Sequence, residues 1–216
     1  MRNVFGSADN GVVVGADIAP VREPSDAVLI ARSLAEPDAF SAVFDRHFAV
    51  IHRYLARRVG KGRADDLAAQ TFVVAFDRRG TFSAAAASAR PWLFGIATNV
   101  LRNELRSERR MLAAIARLGP AGSGDLVDEV ERTLARADAA EDAARVAGAL
   151  ARLDSDQRDV LLLHAWGELS NQEIADALII PAGTVRSRLA RARATLQRTL
   201  ADDSVEAPCP PREESR

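Results

Sequence analysis

Residues 170–200 constrain the fold of this chain most, because their sequence, SNQEIADALIIPAGTVRSRLARARATLQRTL, specifies two helices and the turn between them. Ser170 followed three residues later by Glu173 is a capping box, which predicts that a helix begins there. Pro181 does not fit a helix interior but suits a helix start, so a second helix is predicted just after it. Apolar residues at spacings of three or four mark the buried face of this second helix: Val185, Leu189, Ala192, Leu196 and Leu200.

The second helix is also strongly basic. Residues 182–200 contain five arginines and no acidic residue. A short helix, a tight turn and a basic second helix form the helix-turn-helix pattern, in which the second helix enters the major groove of DNA. An ordinary helical hairpin with a solvated basic face would give the same pattern, so this stretch by itself favours DNA binding without requiring it.

The charge of the chain is segregated along its length. The 216 residues carry a net charge of −1, so any contact with DNA has to come from local patches. Residues 120–142 hold seven acidic residues and two arginines, which makes this segment locally acidic next to a basic last helix. We therefore interpret it as a flexible acidic linker between two domains.

The remaining composition excludes several classes of protein. Cys209 is the single cysteine, which excludes a disulfide framework or a cysteine-based zinc site within one chain. No apolar run has the roughly 18 residues of a membrane span, and no signal peptide is recognisable, so we expect no membrane partner and a cytoplasmic protein.

Helical periodicity, without any alternating strand pattern, predicts an all-α fold with two small helical domains. The predicted divisions are a disordered leader at residues 1–24, a first domain at 25–112, the linker at 113–140, a helix-turn-helix domain at 141–202 and a disordered tail at 203–216.

The start and end signals of the helices are clear in both domains. In the first domain Ser25 is predicted to cap a helix, Gly60 to end a long amphipathic one, and Pro91 to begin a helix that runs to about Arg110. In the second domain Asp154 is predicted to cap a helix that Gly167 ends.

Catalysis has little support in the sequence. His47 and His52 are five residues apart, which does not place them on one helical face as a metal pair requires, and His164 stands alone. Glycine-rich phosphate loops, serine nucleophile motifs and the HExxH motif are all missing from the sequence. We therefore expect no catalytic residue, no metal and no cofactor.

The helix that begins at Pro91 carries polar residues suited to nucleic acid: Trp92, Asn99, Arg102, Asn103 and Arg106. Asparagine and arginine can read base edges, arginine can hold phosphates, and an aromatic ring can stack on an unpaired base. Trp92 by itself is better explained as a core residue. Its occurrence in a chain with a second DNA-reading helix favours the functional interpretation.

Together the two halves resemble the sigma-70 family of bacterial RNA polymerase sigma factors, in its small extracytoplasmic-function (ECF) form. The first half resembles the family's second conserved region in AFSAVFDRHFAVIHRYLARRVG, ADDLAAQTFVVAF and RPWLFGIATNVLRNELRSERR. The second half resembles the fourth conserved region in ALARLDSDQRDVLLLHAWGELSNQEIADALIIPAGTVRSRLARARATL. The resemblance implies a promoter-specificity subunit that binds core RNA polymerase, recognises the minus-thirty-five and minus-ten promoter elements and helps to start transcription.

The resemblance also implies three sets of contact residues. The polymerase-binding set, expected to contact the clamp helices of the polymerase, is Asp65, Asp66, Gln70, Thr71 and Phe72. The minus-ten set is Trp92, Asn99, Arg102, Asn103 and Arg106, beside a loop at residues 82–90 that would hold a flipped base. The minus-thirty-five set is Thr184, Arg186, Ser187, Arg188 and Arg191.

The partners implied by the resemblance are the clamp helices and flap of core RNA polymerase, double-stranded and melted promoter DNA, and an anti-sigma protein. Ile179 stands in the helix-turn-helix turn, where the family often has glycine. We expect Ile179 to keep the left-handed backbone of that turn, with Ile180 filling the core.

Two other classes of function remain open from the residues alone. A free-standing helix-turn-helix regulator would be a dimer on a palindromic site, and an all-helical enzyme or scaffold would carry an incidental basic helix. Two DNA-reading helices separated by a linker favour the sigma factor, because a promoter presents two sites far apart.

Overall fold

The computed structural model describes residues 23–118 and 140–205. All regular secondary structure in these two segments is helical, which agrees with the predicted all-α fold. The α-helices are α1 Asp26–Ser33, α2 Ser41–Val59, α3 Lys61–Asp77, α4 Arg90–Leu118, α5 Ala140–Ala151, α6 Ser155–Ala165, α7 Asn171–Leu178 and α8 Ala182–Val205, with short 3-10 helices at Pro37–Phe40 and Arg79–Thr81. The predicted leader up to residue 22, residues 119–139 of the predicted linker and the predicted tail from residue 206 lie outside the described residues.

Helices α1 to α4 form the N-terminal domain. The Ser25 hydroxyl accepts a hydrogen bond from the Val28 amide, so the predicted cap of α1 is confirmed. Gly60 separates α2 from α3 with φ 79° and ψ 163°, a backbone conformation that favours glycine. The core contains Val43, Ile51 and Leu55 of α2, Leu67 and Phe72 of α3, and Leu93, Phe94, Ala97 and Leu101 of α4.

Helix α4 is longer than its sequence pattern predicted. It continues to Leu118, whereas the periodicity predicted an end near Arg110 and a linker from residue 113. The additional residues, MLAAIARL, are mostly strong helix formers, and the next helix-breaking residues in the sequence are Gly119 and Pro120. Helix propensity therefore carries α4 past the point where its amphipathic pattern fades.

Helices α5 to α8 form the C-terminal domain, and α7 and α8 are the predicted helix-turn-helix. Both halves of the capping box at Ser170 and Glu173 are present. The Asp154 carboxylate accepts from the Gln157 amide, which confirms the predicted cap of α6. The Pro181 carbonyl accepts the first amide hydrogen bonds of α8, so Pro181 marks the start of the second helix as expected.

The turn between α7 and α8 keeps a left-handed residue although it lacks a glycine. Ile179 has φ 55° and ψ 50°, and it is 90% exposed. Ile180 packs against the core instead. The expectation for these two residues is confirmed.

The end of α6 differs in detail from the prediction. Gly167 does follow the last helical turn, but Glu168 is the residue with positive φ, at 53°. Glycine is required at position 167 for another reason, because a Cβ there would lie 2.6 Å from the Leu163 carbonyl oxygen. Close approach of two backbone segments, rather than a left-handed conformation, explains this glycine.

The two domains pack directly on each other through α4 and α7. A Cβ added to Gly95 would lie 2.3 Å from the Ala177 carbonyl oxygen, so the two helices approach backbone to backbone. At one end of this contact Arg90 donates to the Gly167 carbonyl oxygen at 2.7 Å. The sequence predicted two domains but did not predict this contact between them.

Candidate nucleic-acid interface

Helix α8 exposes most of the predicted minus-thirty-five set. Val185 and Leu189 anchor the helix in the core, and Ala192 is buried one turn further on. Arg186, Ser187 and Arg191 are exposed and Thr184 is half-buried, with the Ser187 hydroxyl donating to the Thr184 carbonyl oxygen at 3.0 Å. Four members of the set therefore lie near the N-terminal half of α8, which is the half that contacts bases in helix-turn-helix docking.

Helix α4 exposes most of the predicted minus-ten set. Asn99, Asn103 and Arg106 are exposed, and Arg106 donates to the Asn103 side-chain oxygen at 3.5 Å. Trp92 is half-buried, with its ring edge-on to Phe82 at 5.3 Å between centroids. Trp92 thus combines the two interpretations given above, since one part packs on the core and the other borders the loop at residues 82–90.

Arg102 and Arg188, the remaining arginines of the two DNA sets, are held by acidic residues of α6. Asp156 accepts from Arg102 at 2.8 Å and from Arg188 at 2.5 Å, so one carboxylate binds an arginine from each DNA set. Asp159, which is 1% exposed, accepts from Arg102 with its Oδ2. The Oδ1 of Asp159 lies 2.8 Å from Arg58 of α2. We call these five residues the interdomain cluster.

The interdomain cluster favours the charged form of Arg102. Burial by itself would lower the pKa of Arg102, but the charges and hydrogen bonds of Asp159 and Asp156 raise it above its ordinary value. A buried ion pair is strongly destabilised when one partner is removed, because the other charge is left uncompensated. The cluster therefore links the position of α6 to that of α2 and α4.

Sequence reasoning missed the acidic members of this cluster and Arg58. Asp156 and Asp159 follow the predicted cap at Asp154. Arg58 lies two residues before the predicted helix end at Gly60. No local spacing in the sequence indicates that these residues face another domain, so no available signal could have found them.

The predicted polymerase-binding set divides into exposed and buried members. Asp65, Asp66 and Gln70 are exposed on α3, and Asp65 accepts from His52 at 2.7 Å. Thr71 and Phe72 are buried in the core. Thr71 donates its hydroxyl to the Leu67 carbonyl oxygen at 2.7 Å, and Phe72 packs edge-on against Phe44. The surface that α3 offers to a partner is therefore acidic and amide-bearing, with Val73 exposed beside it.

The histidines are all bonded within the protein. His47 contacts Asp26 at 2.9 Å, His52 contacts Asp65, and His164 lies 3.1 Å from the Leu169 carbonyl oxygen. Within residues 23–118 and 140–205, no group of histidine, cysteine and acidic side chains is arranged to hold a metal ion. In the same segments, no helix has both the length and the apolar character to cross a membrane.

Comparisons with known proteins agree with the geometry of both domains. The sigma-70 region 2 family matches residues 43–111, and the sigma-70 region 4 family matches residues 143–196. The chain is 34% identical over 173 residues to the ECF RNA polymerase sigma factor SigL of Mycobacterium tuberculosis, covering 79% of this chain and 94% of SigL. It is 32% identical over 187 residues to the ECF sigma factor BldN of Streptomyces coelicolor, covering 82% of this chain and 66% of BldN.

A solved structure shows the same arrangement of helices. CnrH in complex with the cytosolic domain of CnrY superposes with a TM-score of 0.57 at 28% identity, covering 83% of this chain and 99% of CnrH. CnrH is an RNA polymerase sigma factor of Cupriavidus metallidurans.

Two helical domains, of which the second ends in a basic helix-turn-helix, define a DNA-binding transcription factor. The chain belongs to the sigma-70 family of RNA polymerase sigma factors, in its extracytoplasmic-function group. It is a promoter-specificity subunit of RNA polymerase, and sigma factors are transcription initiation factors rather than enzymes. The free-standing dimeric regulator is therefore not favoured.

Proposed function

We propose that this sigma factor reads the minus-thirty-five promoter element with the N-terminal half of α8. The observation that carries the proposal is the exposure of Arg186 and Arg191 on a helix without acidic residues before Leu200, above buried anchors at Val185 and Leu189. A guanidinium that makes two hydrogen bonds to a guanine contributes about 1–3 kcal/mol of discrimination against other bases.

The minus-ten element is read by α4 and the loop at residues 82–90. Asn99, Asn103 and Arg106 are exposed along α4 and can contact base edges or phosphates. Trp92 borders the loop, where an aromatic ring can stack on a base that has left the duplex. The proposal assigns duplex recognition to α8 and recognition of melted DNA to α4 and this loop.

Core polymerase binds the exposed acidic face of α3 through its clamp helices. Asp65, Asp66 and Gln70 supply charge and hydrogen-bond acceptors, and exposed Val73 supplies apolar area next to them. The polymerase flap binds the C-terminal domain. These two contacts separate the domains to the distance between the two promoter elements.

Promoter binding then requires Arg102 and Arg188 to leave Asp156. Both arginines exchange a carboxylate of this chain for phosphates or bases of the DNA. Each guanidinium therefore still has a hydrogen-bond acceptor after the exchange. The exchange is driven by polymerase binding, because the closed contact of α4 with α7 does not allow both DNA sets to reach separated promoter elements.

The test uses holoenzyme reconstituted from core polymerase and this chain. Promoters are first selected from a random library, and each position of the minus-thirty-five element is then varied. Arg186→Ala should relax preference at one base position and weaken binding by about 1–3 kcal/mol. Arg198→Ala, three turns further along α8, should weaken all sequences equally through phosphates. Altered preference with Arg198→Ala and unaltered preference with Arg186→Ala would reverse the assignment.

A protein partner that restrains the chain is a further part of the proposal. CnrH was solved in complex with the cytosolic domain of CnrY, and we infer an anti-sigma protein for this chain too. Affinity purification with the free chain and with holoenzyme tests this, since a partner that competes with polymerase should be recovered with the free chain only. We also propose the cytoplasm as the compartment, because the polymerase acts there.

The domain limits stay as predicted except where α4 extends them. We propose that the functional units are residues 25–118 and 141–202, joined by the acidic residues that follow Leu118. The helical part of the predicted linker, residues 113–118, is assigned to the first unit because α4 contains it.

A further inference from the structure

Asp26, the first residue of α1, binds two distant parts of the N-terminal domain with one carboxylate. Its side chain is 5% exposed. Oδ1 accepts from Arg46 of α2 at 2.6 Å, and Oδ2 contacts His47 of α2 at 2.9 Å. Oδ2 also accepts from the Ser88 hydroxyl at 3.2 Å and from the Ala89 amide at 2.7 Å. Four contacts therefore converge on one buried carboxylate.

The contacts with Ser88 and Ala89 fix the start of α4. The first amides of a helix have no partner within the helix, and a negative charge there is favoured by the helix dipole. Asp26 satisfies the Ala89 amide, and the Ser88 oxygen accepts from the Arg90 amide at 3.1 Å. The Ser88 hydroxyl thus forms a hydrogen-bond relay between the Asp26 carboxylate and the amide of Arg90, the first residue of α4.

The same two residues end the loop at residues 82–90, which has few other restraints. Phe82 is held at its beginning by Trp92, and the Ala86 amide donates to the Ser83 carbonyl oxygen at 3.0 Å. Residues 84–87 are all alanine, so none of them carries a polar side chain that could fix the backbone. The position of the loop is therefore set at its two ends, by an aromatic pair at one and by Asp26 at the other.

The charge state of Asp26 suits this arrangement. Burial opposes ionisation of its carboxyl, but hydrogen bonds from the Ala89 amide and Arg46, together with His47, hold its pKa below the usual range. Because an ionised carboxylate only accepts hydrogen bonds, all four neighbours have to act as donors.

We propose that Asp26 is a positioning residue for recognition of the minus-ten element, which it serves by fixing the end of the loop at residues 82–90 and the first turn of α4. The inference rests on the proposed function of that loop. Asp26 is too deeply buried to touch DNA, and it acts through Ser88 and Ala89. It sets where an unpaired base meets the loop and the Trp92 ring.

The main variant is Asp26→Asn. It keeps the size of the side chain but turns one oxygen into a donor that faces other donors, so at least one hydrogen bond is lost. Holoenzyme affinity is measured for promoters with a pre-melted minus-ten region, each with one of four bases at the position that the wild type discriminates most. The ratio between the best and the worst base should fall about fivefold, which corresponds to one hydrogen bond.

This ratio separates positioning from simple loss of folded protein. A variant that is only less stable lowers the affinity for all four templates by one common factor and leaves the ratio unchanged. Affinity for a duplex minus-thirty-five element should also be unchanged, because α8 lies in the other domain. Asp45→Asn is the matched control, since it removes the same charge from an exposed position next to Arg46.

Ser88→Ala provides a second route to the same result. It removes the relay to the Arg90 amide but keeps the bond between Asp26 and the Ala89 amide. The ratio should fall in the same direction, by less than with Asp26→Asn. If Asp26→Asn does not fold at the assay temperature, Ser88→Ala decides the question.

The outcomes distinguish this inference from the function on which it rests. Trp92→Ala reports on the loop site directly. If it changes the ratio while Asp26→Asn and Ser88→Ala do not, the positioning role is overturned and the proposed function of the loop stands. If the wild type shows no base preference and Trp92→Ala has no effect, both are overturned.

Discussion

At the scale of single residues, Ile179 shows how the helix-turn-helix keeps its geometry with an unfavourable side chain. A left-handed backbone costs an L-residue roughly 1–2 kcal/mol, and a β-branched residue fits it poorly. Ile179 gains little in return, because it is 90% exposed. The shape of the turn is therefore imposed by the two helices that it joins rather than by its own residue.

This strain predicts the effect of Ile179→Gly. Relief of the left-handed conformation opposes the greater chain entropy of unfolded glycine, about 0.5–1 kcal/mol, so the change should be neutral or stabilising by up to about 1 kcal/mol. Urea unfolding of the full chain measures it. Ile180→Gly is the control, because Ile180 packs against the core and its truncation should destabilise by roughly 2 kcal/mol. A clear loss of stability with Ile179→Gly would contradict the assigned strain.

Asp26 gives the folded state a dependence on acid pH. Although burial opposes ionisation, hydrogen bonds from the Ala89 amide and Arg46 hold its pKa below the ordinary value in the folded protein, so its carboxylate stabilises the fold above the unfolded pKa. This stabilisation is lost as the pH falls through the unfolded value towards the folded one. The difference in unfolding free energy between wild type and Asp26→Asn should therefore shrink between about pH 5 and pH 2. Urea titrations across that range measure the difference, and a constant difference would contradict the prediction.

At the scale of an element, α3 divides its residues between two tasks. Leu67, Thr71 and Phe72 hold the helix in the core, whereas Asp65, Asp66 and Gln70 face outward. Sequence neighbours such as Gln70 and Thr71 point to different sides of the helix, because successive residues are about 100° apart around its axis. Only the outward face can meet a partner while the core is intact.

Asp66→Arg tests the outward face of α3. A basic residue would oppose the basic groups expected on the polymerase, and like charges in contact cost several kcal/mol. Binding to core polymerase should weaken at least about tenfold, with unchanged helix content because Asp66 is exposed. Asp77→Arg is the matched control, since it makes the same change at the exposed C-terminal end of α3. Unchanged polymerase binding by Asp66→Arg would remove α3 from the docking surface.

At the scale of the whole molecule, one carboxylate joins both DNA-reading sets. Asp156 binds Arg102 from the minus-ten set and Arg188 from the minus-thirty-five set. Residues 119–139 of the acidic linker lie outside the described residues. Within the part of the chain that the structure describes, α6 supplies acidic residues in contact with the DNA-reading arginines.

Asp156→Asn should therefore raise the DNA affinity of the free protein. Part-exposed ion pairs of this kind contribute on the order of 1 kcal/mol together, so the increase should be roughly two- to fivefold. It should be largest at low salt, where charge interactions are least screened. Fluorescence anisotropy with a minus-thirty-five duplex measures it. Asp176→Asn, an equal change of charge at an exposed site on α7, should have a smaller effect.

Gly95→Ala should separate the two domains at the contact of α4 with α7 without changing any charge. Alanine favours the helix by about 1 kcal/mol over glycine, so α4 itself should be preserved. Its Cβ would clash with the Ala177 carbonyl, so the domains should separate and the radius of gyration should increase. An unchanged radius in small-angle scattering would show that the closed contact tolerates the methyl group.

The sequence by itself determined the helices, their caps and the family. Apolar spacing, the signals at Ser25, Asp154 and Ser170, and the proline before α8 act over a few residues, so they can be read without the rest of the chain. The exposed members of the DNA sets follow from the same local periodicity, because the face opposite the core has to meet solvent.

Only the tertiary structure decided which charged groups meet. Asp156 and Arg188 are 32 residues apart in the chain, and Asp26 and Ala89 are 63 residues apart. Local spacing carries no information on such pairs, because they depend on how helix faces pack across the whole molecule. The hydrophobic period determines where each helix lies in the sequence and which of its faces is apolar. The packing of the helices determines which polar residues are buried and which charged residues pair with each other.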